Sequence, residues 1–492
     1  MTETAKKKRG MPSSFTILLA LLAIVAIITV VVSGTSGGAV TAARLSDFCT
    51  APVKGFADAL PVCLFVMILG GFLGMMTETG ALDNGIAVLV QKLKGNEIML
   101  IPVLMLIFSL GGTTYGMCEE TVPFYALLAA TMMAAGFDPM VGAATVLLGA
   151  GCGCLGSTVN PFAVGAAVDA LTGVDIAVNQ SIIIGLGAVL WLVTTVMSIV
   201  FVMSYAKKVK ADKGSTILSM QELKDAEEAH GKAASEVNKE VKLTGRQKGV
   251  LIAFAFTFVV MIVGFIPLAD LNEGVANFFD AGAVYDADGN AVVQGWSALI
   301  TGLPIGQWYF DEASTWFFLM AILIGIIGGL SEKQIVNTFI TGAADMMSVV
   351  LVIALARGIS VLMASTGLDV YVLDAAANAL AGLSGVIFAP MSFLVYFGLS
   401  FLIPSTSGMA TVSMPIMGPL AVKLGFSPEV MVMIFSAAIG VVNLFTPTSG
   451  AIMGGLALAK IEWTTWLKFA LKLIVALSVV CAIILTVACV ML

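Results

Sequence analysis

The sequence predicts an all-α polytopic membrane protein built as an inverted structural repeat, with two re-entrant helical hairpins and two broken transmembrane helices. Three observations predict it. First, the chain is 59% hydrophobic and 11% charged at a mean hydropathy of +1.03, more apolar surface than a soluble domain of 492 residues can hide. Second, a motif occurs twice inside apolar sequence, GTTYGMCEETVP at 112–123 and PSTSGMATVSMP at 404–415, with hydroxyls before Gly-Met and a proline seven residues after the glycine. Third, a polar break follows each copy, GSTVNPFA at 156–163 and FTPTSGA at 445–451. Paired breaks in corresponding halves mark a carrier site built from discontinuous helices.

Taken in order, residues 1–13 form an N-terminal segment whose Lys6, Lys7, Lys8 and Arg9 place it in the cytoplasm. The apolar run 14–33 matches a bilayer span rather than the shorter core of a signal peptide, so it is expected to remain as the first helix. Further spans are predicted near 60–77, 139–156, 181–205, 247–269, 315–330, 343–366, 428–446 and 466–490. The stretches 99–135 and 386–424 carry the Gly-Met motif at their middle. Each half is about 15 residues, short for roughly 30 Å of hydrocarbon, so each stretch reads as a hairpin of two helices meeting at a polar tip. Such backbone is tolerated at membrane depth only inside protein or against a water-filled cavity.

Charge fixes the expected sidedness. Residues 206–248 hold ten of the 24 Lys and Arg, and residues 270–312 hold seven Asp or Glu with no Lys or Arg. The linker 206–246 is therefore expected inside and the acidic loop 270–312 outside, joined by a single crossing at 247–269. A first repeat over 14–205 then opens its hairpin inward. A second repeat over 315–490 opens its hairpin outward and ends outside. A cysteine at Gly289 is expected to react from outside, and one at Ser235 is not. Residues 211–240 read as a solvated helical linker.

The repeat reaches beyond the hairpins. Thr79-Gly80 matches Thr366-Gly367 at an offset of 287, and Asn160-Pro161 matches Thr446-Pro447 at 286. The segments after those glycines, IAVLVQKLKG and YVLDAAANAL, read as amphipathic helices at each interface.

Hairpin tips and breaks expose helix ends, whose free N–H groups suit a carboxylate, while unwound carbonyls and hydroxyls suit a hard cation. The candidate substrate ligands are Thr113, Thr114, Ser157, Thr158 and Asn160 in the first half. In the second they are Ser405, Thr406, Ser407, Thr446, Thr448 and Ser449. A Na⁺ ion is expected near Asn160, Thr114, Thr406 and Thr448; the coupling ion is Na⁺ or H⁺, with no other cofactor. Glu119, Glu120 and Arg357 break the symmetry of the repeat. Charge in apolar sequence is costly and functional by default. Arg357 is the candidate grip on a carboxylate, because its planar fork binds one bidentately. The glutamates could bind an ammonium, carry a proton or hold a cation. An arginine with two acids suits an amino acid better than a dicarboxylate. The alternative is that Arg357 and one glutamate form a structural ion pair. Glu78 is expected near the interface and solvated.

Other classes fit less well. The seven cysteines, odd in number and in apolar sequence, argue against a disulfide framework, and the lone histidine, His230, argues against a metal centre. There is no HExxH, so a membrane-embedded enzyme lacks its constellation, and no GxxxxGK[ST] that would couple ATP. A channel would more often repeat its filter about an axis normal to the membrane.

The run from Gly112 to Gly165, together with PSTSGMATVSMPIMGPLA and NLFTPTSGAIMGGLALAK, resembles the bacterial YfcC-type carriers of the C4-dicarboxylate anaerobic carrier family, within the ion transporter superfamily. The resemblance covers nearly all of 14–490. It implies an inner-membrane secondary transporter, a symporter or exchanger, working as a homodimer by an elevator motion. Its partners would be a small carboxylate or amino acid substrate and the lipid bilayer, with no nucleic acid. Members are described as dicarboxylate carriers and as antiporters of basic amino acids, arginine- or ornithine-like, so the substrate stays open between these.

Overall fold

The computed structural model describes residues 14–82, 84, 85, 88, 96–236, 242–266, 268–271, 273–285 and 291–492. The basic N-terminal residues, most of the first predicted amphipathic helix and Gly289 lie outside the described residues. The described residues are mostly helical; the described strands are Val284–Tyr285 and Ala291–Val293, a small antiparallel pair in the acidic loop.

Among the described residues, nine helices are long and apolar enough to cross a membrane. In hydrocarbon every backbone polar group needs an internal partner, and helix is how a single segment supplies it. The spans Ser14–Ser33, Gln180–Ala211, Gly245–Phe265, Phe310–Gly328 and Trp463–Met491 fall on predicted ones.

Two crossings differ from expectation in a regular way. The span at 60–77 is the second part of a kinked helix, Leu45–Asp58 followed by Leu60–Glu78. The span at 343–366 is likewise Glu332–Asp345 followed by Met347–Thr366. The leading parts carry charge (Asp47, Lys54 and Asp58; Glu332, Lys333 and Asp345), and the first also contains Pro52, so they read as loops by hydropathy. The two kinked helices superpose in sequence at the 287 offset, each leading part ending in Gly-x-Ala-Asp, GFAD and GAAD.

These helices cross in pairs through glycine. Gly55 and Gly358 touch, and a Cβ on Gly55 would collide with the Ala354 carbonyl and the Gly358 nitrogen. Gly342 meets Gly70 and Gly71, and a Cβ on either Gly342 or Gly70 would collide with the other's carbonyl. Small residues let helix backbones approach where lipid supplies no hydrophobic drive. Gly55 is the counterpart of Gly342, and Gly358 of Gly71, so the two crossings are one contact made twice. Where the repeats meet, Cys63 Sγ lies 3.9 Å from the carbonyl of Val350, its own counterpart 287 residues on.

Both hairpins are re-entrant. The first runs Leu100–Tyr115 and Val122–Ala134. Glu97, before its first arm, pairs with Lys210 at 2.7 Å, and its second arm packs on the helix Met220–Glu236, so both ends share the face of the linker. The second runs Gly385–Leu402 and Thr406–Lys423. Gly385 approaches both Phe426 and the Cys489 carbonyl, and Phe388 stacks on Phe426 at 4.8 Å, so both ends share the face of the C-terminus. The 32-residue helix Gln180–Ala211 measures these faces apart at about 45–50 Å. Lys210 stands at one end; at the other, the Asn179 N–H donates to Glu429 beyond the second hairpin at 2.7 Å. Three of the four arms are longer than the expected 15 residues.

The helix Met220–Glu236 is docked along one stripe and exposed on its other faces. Its Ala226 and His230 are buried, Glu222 accepts from the Glu462 N–H at 2.9 Å, and His230 Nε2 lies 3.1 Å from the Leu458 carbonyl. Leu223, Ala226 and His230 at helical spacing form the stripe that docks. All seven cysteines are free, and Glu78 is exposed.

Candidate functional site

The helices sort into two groups. One holds Ser14–Ser33, Phe310–Gly328 and the two kinked pairs; the other holds both hairpins, the two broken helices that begin with Pro139–Leu155 and Pro428–Val442, and the two long spans Gln180–Ala211 and Trp463–Met491. A cavity of about 320 Å³ lies between the groups. Both hairpin tips, both breaks, Arg357 and Asp58 line it.

At the first tip, Leu100–Tyr115 ends on Gly116 in the left-handed region, φ 79° and ψ 34°, the usual glycine close to a helix. A Cβ there would strike the Asn160 side chain. Thr113 Oγ1 donates to the Gly156 carbonyl at 2.6 Å, and the Thr113 carbonyl accepts from the Thr158 N–H at 2.8 Å and from its hydroxyl at 3.0 Å. These bonds clip the tip to the unwound residues of the first broken helix, Pro139–Leu155. Ser157 donates to the Cys154 carbonyl at 2.6 Å and accepts from Asn160 Nδ2 at 2.9 Å. Asn160 Oδ1 accepts from the Phe162 N–H at 2.9 Å, capping the helical turns that begin at Pro161.

The sequence-predicted residues therefore divide. Thr113, Ser157 and Thr158 bond freed backbone groups and each other, and Thr114 donates to its own helix at Leu110; none of the four lines the cavity. Asn160, Glu119 and Glu120 do line it. The glutamates differ: Glu120 is buried with Oε2 accepting the Cys118 N–H at 3.0 Å, closing its own turn, while Glu119 is half-buried at the cavity wall.

In the second half Ser405, Thr406, Ser407, Thr448 and Ser449 line the cavity. Ser405 caps Thr406–Lys423 by accepting the Gly408 N–H at 3.1 Å, and Ser449 caps Gly450–Leu458. Two helix N-termini thus point at the same space, with the positive ends of their dipoles toward it. Thr446 is buried behind them, 2.7 Å from Thr448 Oγ1, and does not reach the cavity. Of the four residues placed around a Na⁺ ion, Asn160, Thr406 and Thr448 share the cavity and Thr114 does not.

Arg357 pairs with neither glutamate. Its Nε donates to Asp58 Oδ2 at 2.5 Å, with side chains 27% and 51% exposed. Sequence reading missed Asp58, because the helix that carries it was not read as part of a span; the GFAD and GAAD repeat was the signal that marks it. Asn443 and Ser436 in the cavity wall were also missed. Among the described residues, no group of three or more His, Cys, Asp or Glu could hold a metal ion.

The arrangement has polarity. Helix N-termini at Thr406 and Gly450 form one positive region with Arg357 in the same cavity, and Glu119 and Asp58 supply negative charge on the first-repeat side.

Residues 38–490 match the family described as DcuC, C4-dicarboxylate anaerobic carrier. The chain is 29% identical over 445 residues to an uncharacterized protein of Haemophilus influenzae, covering 90% of this chain and 78% of that one. It is 27% identical over 440 residues to the Escherichia coli protein named "Putative basic amino acid antiporter YfcC", covering 87% and 77%. Among solved structures it is similar to MtrF of Neisseria gonorrhoeae, from a class of antimetabolite efflux pumps, with TM-score 0.44, 17% identity and coverage of 98% and 96%. It is similar also to the YdaH transporter of Alcanivorax borkumensis, with TM-score 0.46, 15% identity and coverage of 97% and 98%.

Proposed function

This chain belongs to the C4-dicarboxylate anaerobic carrier family, so it is a membrane transporter and not an enzyme, and from that premise we propose that it moves an amino acid, of basic character, as a secondary active carrier. The observation that carries the substrate class is the charge of the cavity: three carboxylates, Asp58, Glu119 and Glu120, against one guanidinium, Arg357. A dicarboxylate would enter a cavity already short of positive charge. An amino acid would set its carboxylate against the helix N-termini and Arg357 and its ammonium against Glu119. A basic side chain adds a second cation for Asp58, since Glu120 is held by the Cys118 N–H. The name of the Escherichia coli relative points the same way, and the family description favours a C4-dicarboxylate, which stands as the second reading.

The carrier sits in the bacterial inner membrane as a homodimer, with the Met220–Glu236 face cytoplasmic and the acidic loop outside. Coupling is to Na⁺ or H⁺. Unwound carbonyls and hydroxyls at Asn160, Thr406 and Thr448 suit Na⁺. A thermal-shift screen of the purified protein separates the readings. L-arginine and L-ornithine should raise the melting temperature by mass action, more so with the coupling ion present. Stabilisation by succinate or fumarate alone would replace this reading with the dicarboxylate one.

A further inference from the structure

The cavity is asymmetric about the axis that relates the repeats. Hairpin tips and breaks of both halves reach it, but the kinked helices contribute unequally. Asp58, Pro61 and Val62 line it from the first repeat, and Ile353 and Arg357 from the second. Their counterparts at the 287 offset are Asp345, Ser348, Val349, Val66 and Gly70, and none of these lines it. On the linker side, Gly450–Leu458 closes onto Met347–Thr366, where Gly450 abuts Ile353 and a Cβ on Gly454 would stand 2.6 Å from Val349. The matching surfaces on the other side, Pro61 and Val62 against Phe162 and Ala163, are parted by the cavity. With the linker side cytoplasmic, the cavity is closed inward.

A protein made of inverted repeats in two different arrangements can exchange them, which moves the opening to the opposite side of the membrane. We infer that Asp345 takes the place of Asp58 in that exchanged state and Gly70 the place of Arg357, so that Asp345 is a substrate-contacting residue of the inward-open carrier. This rests on the carrier reading above. The guanidinium then meets substrate from outside only. Gly70 supplies no substitute, because its Cα already lies against Gly342 and a side chain would collide there. Among the described residues Asp345 is exposed with no cation at ion-pair distance, unlike Asp58. A carboxylate is gripped on the external side and meets an unpaired acid on the cytoplasmic side, where like charge disfavours it. The grip on a carboxylate is thereby weaker on the cytoplasmic side, and release of that group inward is built into the scaffold.

The test is counterflow of labelled L-arginine and labelled succinate in right-side-out and inside-out vesicles. Arg357→Lys should raise the half-saturation concentration at least tenfold at the external face and less than twofold at the cytoplasmic face. Asp345→Asn should leave the external value unchanged and lower the cytoplasmic value for succinate at least threefold. Equal shifts on both faces for Arg357→Lys would overturn the inference, as would an Asp345→Asn carrier unchanged on both. The two variants sit on different helices, so poor folding of one leaves the other decisive. Parent vesicles with no saturable counterflow of either probe would defeat the carrier reading itself and this inference with it; a parent that exchanges normally while the variants lack sidedness defeats the inference alone.

Discussion

Arg357 holds Asp58 through its Nε at 2.5 Å, across the two helices that touch at Gly55 and Gly358. Asp58 therefore occupies the guanidinium that a substrate carboxylate needs. Asp58→Asn should free the fork and remove one acid. Succinate should bind about tenfold more tightly, roughly 1.4 kcal/mol, and L-arginine more weakly. Titrations of the purified protein check this; weaker binding of both would mean that Asp58 only orients Arg357.

The glutamates should separate. Glu119→Gln removes the charge at the cavity wall, and amino acid uptake should fall more than tenfold while the melting temperature holds. Glu120→Gln keeps an acceptor for the Cys118 N–H and should transport nearly as the parent. Glu120→Ala leaves that N–H unmet, at a cost of about 1–3 kcal/mol, and should lower the apparent melting temperature in detergent. Uptake that survives Glu119→Gln intact would remove it from the ammonium site.

Gly55→Ala and Gly342→Ala should destabilise alike, because they disturb one contact made twice. Overpacking costs about 1–3 kcal/mol, read as a drop in melting temperature of detergent-solubilised protein. A drop for one and none for the other would break the equivalence of the crossings.

His230 gives a pH signature at the linker. Burial pushes its imidazole below the ordinary value, the Leu458 carbonyl opposes this, and Lys460 adds to it. A histidine with a depressed folded pKa contributes stability that is fully present above its unfolded value, about 6.5, and lost as pH falls below it. Protease nicking between Met220 and Glu236 should therefore rise between pH 6.5 and pH 5, and His230→Gln should flatten that dependence. Nicking that is flat with pH in the parent would exclude His230 as the cause.

Sidedness can be read from two exposed positions. Cysteines in place of Gln294 and Lys224, in a background without the native cysteines, should label with an impermeant thiol reagent from outside and from inside, respectively. Labelling of both from one face would remove the lone crossing at Gly245–Phe265.

The hairpins and breaks were legible because Gly, Pro, Ser and Thr interrupt apolar runs, and in lipid an interruption has few uses. The kinked helices were half legible. LSDFCTAPVKGFAD and EKQIVNTFITGAAD are amphipathic segments that pack through Gly55 and Gly342 on partners far away in sequence, and hydropathy does not see such partners. That hid Asp58, and with it the true partner of Arg357. The hydroxyls were legible as a set but not in role. Ser and Thr cap backbone and line cavities with the same atom, so only placement separates Thr113 and Ser157 from Ser405 and Thr448.

The central claim is that the cavity between the two helix groups is the substrate site of a carrier for a molecule bearing both charges. Counterflow in proteoliposomes preloaded with unlabelled L-arginine tests it most directly. Labelled L-arginine should accumulate transiently and saturably, and Glu119→Gln should abolish the accumulation while the protein stays folded and membrane-inserted. A flux that grows linearly with concentration, or saturable exchange that Glu119→Gln leaves untouched, would contradict it.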